Sequence, residues 1–145
     1  MAVGSVAELR RELPSVVALL APAEVCDRLV PPAGAVALRV APREVLLVGP
    51  VDVGALSAAI GEDGLVADVS DAWVGLVLEG ADAPDMFARV SELELLERGW
   101  IQGEVARAAS KVLAEPGRIE VLVPAMLAEH VEARIRADAA EVLAP

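Results

Sequence analysis

Tyrosine is absent from the chain, and its aromatic residues amount to two tryptophans and one phenylalanine. A core built around stacked rings is therefore excluded. With 56% of its 145 residues hydrophobic, the chain has to fill its core with Val, Leu and Ile. The single cysteine, Cys26, rules out an intramolecular disulfide, and one Cys with one His supplies no common zinc ligand set. A reducing compartment, the cytoplasm, is the expected location. No stretch of roughly eighteen uninterrupted apolar residues is present. The charges of Glu8, Arg10, Arg11 and Glu12 fall where a secretory leader would have to be apolar.

Basic residues are also scarce. Twelve Lys and Arg stand against 23 Asp and Glu, a formal net charge of −11. Residues 1–73 carry five basic and ten acidic residues and residues 74–145 carry seven and thirteen, so no basic face is available to track phosphates or to adsorb to an anionic membrane. Neither nucleic acid nor membrane is an expected partner. The acidic excess reads as a solvated surface.

A length of 145 residues suits one domain with an unstapled core, and a single domain over residues 1–145 is expected, with residues 1–14 peripheral. Ser5 and Glu8 have capping-box spacing, which predicts a short helix ending at Leu13 before Pro14. Val16 to Leu20 is a β-compatible run, and Pro22 to Leu29 reads as a brief helix.

From residue 35 onward one arrangement recurs: strand, turn, strand, a small or Pro residue, then a helical pattern. The first copy runs through Val36–Val40, Val45–Val48 and Asp52–Ile60. The second runs through Leu65–Val69, Val74–Leu78 and Asp82–Val90, and the third through Ala109–Leu113, Ile119–Val123 and a helix to about Ala140. The strand runs are short and β-branched with Pro or Gly at the bends. In the last helix Leu127, Val131 and Ile135 form one stripe, with Glu132 and Arg136 placed to pair on the wet side. The fold class read from this pattern is α+β: repeated ββα units, an antiparallel sheet and helices packed on it. Ser91 to Gly103 is the least regular stretch.

Few residues invite chemistry. His130 falls on the last predicted helix with no Ser or Cys nucleophile placed beside it, and reads as solvated. Cys26 reads as a packed thiol. Asp68 and Asp71 flank Ser70 at a turn, where carboxylates satisfy backbone amides more readily than they do acid–base work. Asp82 suits a helix N-cap. No phosphate loop, dinucleotide fingerprint or nucleophile elbow occurs. No catalytic, cofactor-binding or metal-binding residue is therefore assigned. Trp73 begins a central strand and reads as core. Trp100 lies in the irregular stretch, where a large ring has little local reason to be buried; it is the candidate partner contact, weighed against a place in the core.

The run VADVSDAWVGLVLEGADAPDMFARVSELEL, residues 66–95, resembles the central segment of the sarcosine oxidase gamma subunit family and of its relatives, the folate-binding aminomethyltransferases of the glycine cleavage system. Asp68-Val69-Ser70, Leu76-Val77-Leu78, Gly80 and Ala83 carry the match, with Leu38–Val48 upstream and Ile119–Pro124 downstream. Ala41 departs from the family's turn glycine and Arg43 from its acid. The resemblance covers about residues 16–140. It implies an aminomethyltransferase-like fold and a non-catalytic accessory subunit of a heteromeric, flavin-dependent sarcosine oxidase-like complex in one-carbon metabolism. By the same resemblance this chain alone binds no cofactor, and flavin and tetrahydrofolate belong to a larger flavoprotein or folate-binding partner subunit. The residues leave open a stand-alone domain that binds folate or another small molecule, and a homo-oligomer if no partner exists.

Overall fold

A computed structural model describes residues 7–143. In chain order its strands are β1 (Glu8–Glu12), β2 (Val16–Leu20), β3 (Val36–Ala41), β4 (Glu44–Val48), β5 (Leu65–Asp68), β6 (Trp73–Glu79), β7 (Gly99–Val105), β8 (Ala108–Glu115) and β9 (Arg118–Pro124). Its helices are α1 (Ala23–Asp27), α2 (Val53–Ile60), α3 (Ala83–Ala88) and α4 (Ala128–Asp138). The chain divides into two units, one formed by Leu13–Asp71 and the other by the residues up to Glu12 together with those from Ala72 onward.

The Leu13–Asp71 unit is an antiparallel sheet in the order β3-β4-β2-β5. Alternation along the strands turns Val17, Leu19, Val45 and Leu47 to one side, where Val25 and Leu29 from the α1 segment and Val53, Leu56 and Ile60 from the α2 segment cover them. Asp52 starts α2 by accepting a hydrogen bond from the Ala55 amide at 3.0 Å. Cys26 is buried in this core, as its packing character implied, with its thiol 3.7 Å from the Ala21 carbonyl.

The other unit is an antiparallel sheet in the order β1-β6-β9-β8-β7. One face presents Leu76, Leu78, Ile119, Val121, Val123 and Val112 to Met86 and Phe87 of α3 and to Val131 and Ile135 of α4. The aliphatic core and the 131/135 stripe are thus as read from sequence, and Glu132 pairs with Arg136 at 3.1 Å. The opposite face carries Trp73, Val77, Glu120, Leu122, Lys111, Leu113 and Trp100 in cross-strand register.

The architecture is α+β with two antiparallel sheets, but the threefold ββα repeat is not what forms. The first and third copies are hairpins followed by a helix. In the second, β5 and β6 belong to different sheets, so the short turn between them is a crossing rather than a hairpin bend. The predicted N-terminal helix is also replaced. Ser5 lies outside the described residues, and Glu8–Glu12 is an edge strand paired from Glu8↔Glu79 to Glu12↔Gly75. A helix of about two turns cannot repay its nucleation cost, whereas β6 offers a ready ladder. The irregular stretch is in part a strand: Gly99–Val105 pairs along its whole length with β8.

Candidate functional site

The turn after β5 is structural. Asp68 accepts from the Ser70 amide at 2.9 Å, and the Ser70 hydroxyl receives the Val16 amide at 2.9 Å. The hydroxyl and amide of Ser70 hold the Asp68 carboxyl below its usual range, as suits a turn acceptor rather than a general acid. Asp71 is exposed beside it. Asp82 occupies the N-cap position of α3 without a side-chain capping bond, because its backbone is not in the extended conformation that aims the carboxylate at the first turn.

Trp73 does begin β6 but is half-buried, and the Lys111 ammonium stands 6.0 Å from its ring centroid. Trp100 is half-buried on β7, an edge strand of its sheet, directly across from Leu113. The linker expected to carry it folds back instead: Leu93 packs over Gly103, where a Cβ would come within 2.5 Å of the leucine side chain.

On the face that carries Trp73 and Trp100 a carboxylate is buried. Glu120, on β9, is 8% exposed and lies over Gly75 of β6, whose missing side chain makes the room. Around it runs a charge ladder in which Arg10 binds Glu79 and Glu12, and Arg118 reaches Glu12 at 3.1 Å and Glu120 at 3.8 Å. Burial pushes the Glu120 carboxyl above its usual range, and the attraction of Arg118 does not cancel that. Because the folded chain then holds this proton more tightly than the unfolded chain, the group costs stability as pH rises through its folded pKa. Glu120→Gln is expected to be more stable than the parent at pH 7, with the gap narrowing as pH falls and closing near pH 3, roughly a unit below the value of about 4.3 for a free Glu, where both states are protonated. Urea unfolding of the two proteins across this range reads it; a gap independent of pH would refute the assignment.

A groove of about 820 Å³ opens in the unit that holds Ala72 onward. Its walls are the end of α3 with Arg89, the segment Val90–Leu93, Glu104 near the end of β7, the turn Ala106-Arg107 between β7 and β8, and α4 with His130, Arg134 and Asp138. His130 is exposed here, as read from sequence. Ser91 shares the groove, but its hydroxyl donates to the Glu104 carbonyl at 2.7 Å and accepts from the Leu93 amide at 3.2 Å, so it serves the backbone. Among the described residues no group of three or more His, Cys, Asp or Glu side chains is placed to hold a metal ion, and no helix is long and apolar enough to cross a membrane. The groove escaped the sequence reading because its walls come from three distant segments.

No protein-family model and no curated protein matches the chain in sequence. Solved structures do match its fold. A chain of the heterotetrameric sarcosine oxidase from Corynebacterium sp. U-96 superposes with a TM-score of 0.81 at 20% identity, over 96% of this chain and 86% of that one. The glycine cleavage system aminomethyltransferase T from Bartonella henselae matches with a TM-score of 0.70 at 17% identity over 97% of this chain. This chain spans only 48% of that enzyme's length. The regulatory subunit of aspartate kinase from Thermus thermophilus is more distant, with a TM-score of 0.52 at 17% identity over 90% of this chain and 95% of that one. The fold implied by the resemblance to the sarcosine oxidase gamma subunit family is therefore the fold this chain has.

Proposed function

We propose that this chain is an accessory subunit, without chemistry of its own, of a heteromeric flavin-dependent sarcosine oxidase-like complex in one-carbon metabolism. The observation that carries the reading is the end-to-end superposition: the match runs over most of both chains, so a chain of similar size with this fold works inside a heterotetramer in Corynebacterium sp. U-96. Flavin and tetrahydrofolate belong, in this reading, to the larger partner. Trp100 is the residue assigned to the contact, since it is a large half-buried ring on an edge strand, and Trp dominates interface hot spots.

Purification of the tagged chain from its native cells is expected to return a larger flavin-bearing chain in fixed stoichiometry. Trp100→Ala is expected to weaken that complex by about 2 kcal/mol, roughly thirtyfold in Kd. Recovery of this chain alone sinks the proposal. The other reading, a stand-alone domain that binds folate, rests on the likeness to half of an aminomethyltransferase; heat on titrating the isolated chain with tetrahydrofolate would favour it.

A further inference from the structure

β1 is held to its sheet by contacts that lie far along the chain. Its ladder to β6 runs from Glu8↔Glu79 to Glu12↔Gly75. Arg10 pairs with Glu79 and Arg11 with Glu132, and Arg118 donates to Glu12 at 3.1 Å; these partners stand 69, 121 and 106 residues apart in sequence. Just before the strand, the Ala7 amide donates to the Val142 carbonyl at 3.0 Å. All of these partners follow Ala72, whereas the chain leaves β1 through Leu13 and Pro14 into the Leu13–Asp71 unit. What β1 binds can therefore be supplied by its own chain or by a second copy.

The strand is also easily released. It lies at the edge of the sheet, and three of its five residues are exposed. Its ion pairs are on the surface, where such pairs contribute little, and a segment of this kind opens locally before the sheet as a whole unfolds. Opening leaves β6 with an unpaired ladder along Leu76, Val77 and Leu78, an apolar edge that needs a partner strand.

The hinge favours a partner from another chain. Pro14 has a fixed φ and no N–H, and it confines Leu13 to extended backbone, so the connection does not close into a tight turn. Among the described residues neither Leu13 nor Pro14 has a hydrogen-bond partner. Leu13 is 91% exposed, more than any other large hydrophobic side chain among the described residues.

We propose that two copies of this chain exchange β1, each lending Glu8–Glu12 to β6 of the other. The exchange is reciprocal and closes on a two-fold axis, and it repeats the ladder and the ion pairs of the single chain. The two extended hinges run past each other, and Leu13 gains the cover that a single copy does not give it, the Leu13 of the second copy. A strand of other sequence would lack the Arg10, Arg11 and Glu12 that meet Glu79, Glu132 and Arg118. Because the hinge contact is the only one added, the pair forms at high concentration. This inference does not depend on the subunit reading.

The test refolds the whole chain at about 1 mM and at about 10 μM, dilutes both samples and reads their mass by light scattering on a sizing column. A dimer is expected from the concentrated sample and a monomer from the dilute one. Leu13→Asp, at a position too exposed to disturb the fold, is expected to lower the dimer share at least about tenfold. Glu8→Cys combined with Glu79→Cys places two thiols in a cross-strand pair, where a Cα spacing of about 5.5 Å suits a disulfide; Cys26 is buried and takes no part. On a non-reducing denaturing gel the oxidised dimer is expected to run as two linked chains and the oxidised monomer as one. No dimer at about 1 mM, a dimer share that Leu13→Asp leaves unchanged, or a dimer whose oxidised chains run singly would overturn the proposal.

Discussion

Gly49→Ala is expected to remove about 3 kcal/mol of stability, whereas Gly61→Ala removes about 2 kcal/mol. Both glycines have positive φ, 125° and 61°, but their surroundings differ. Gly49 follows β4, and its amide donates to the Ser15 carbonyl at 2.9 Å. A Cβ there would lie 2.5 Å from the Gly34 carbonyl oxygen and 2.9 Å from the Ala35 Cα. Both are backbone atoms of a turn closed by the Ala35 amide on the Pro32 carbonyl at 3.0 Å, so no side chain can rotate away. The φ itself also lies where only glycine is comfortable. Gly61 ends α2 with φ 61° and ψ −138°, outside the left-handed helical region and in one that glycine alone adopts readily, but a methyl group added there would meet nothing within 4 Å, so the loss is that of the local backbone preference without a clash. With a urea slope of about 2 kcal/mol per molar, the midpoint should fall by about 1.5 M for the first variant and about 1 M for the second. Equal losses would show that the turn yields to a methyl group.

The contrast between these glycines marks where sequence reading succeeds. Gly49 and Pro50 are visible as the end of a strand, but the close approach of Gly34 is a tertiary fact. Val45–Val48 and Ile119–Val123 announce themselves because each is a short β-branched run between turn residues, and Val131 and Ile135 because their spacing is helical. β1 is masked by its own composition: ELRRE is charged, and only its partner β6 makes it a strand. β7 is hidden by Gly99 and Gly103, which weaken the strand signal, although Gly103 is required beneath Leu93. The hairpin that follows it lacks Asn-Gly; Ala106-Arg107, with φ of 50° and 68°, gives no turn signal, so the strained wall of the groove was invisible. The β5–β6 connection misled for the converse reason. Asp68, Ser70 and Asp71 look like a hairpin bend, but the Val69 amide and the Ser70 hydroxyl bind Val16 of β2 and hold the chain in the first sheet until β6 begins the second.

Phe87→Ala is expected to cost about 4 kcal/mol, the largest loss of any single truncation in its unit. Phe87 is 1% exposed and is the sole phenylalanine of the chain. It projects from α3 into a core otherwise filled by aliphatic side chains and Met86, and such a core has few ways to collapse around a ring-sized void. Against a net stability of about 5–15 kcal/mol the loss is severe, so Phe87→Leu, at about 1 kcal/mol, is the more informative variant. The Phe87 carbonyl accepts from the Val90 and Ser91 amides at 3.0 and 3.1 Å, and the Val90 carbonyl in turn holds the Ala106 amide. A shift of α3 within the core is therefore passed along the clamp to the strained turn. In Phe87→Leu the Ala106 amide should exchange faster by more than the global destabilisation accounts for, while that of Val121, in the sheet interior, should follow the global loss alone. If both amides change equally, the clamp does not depend on the core, and the turn carries its strain without help from α3.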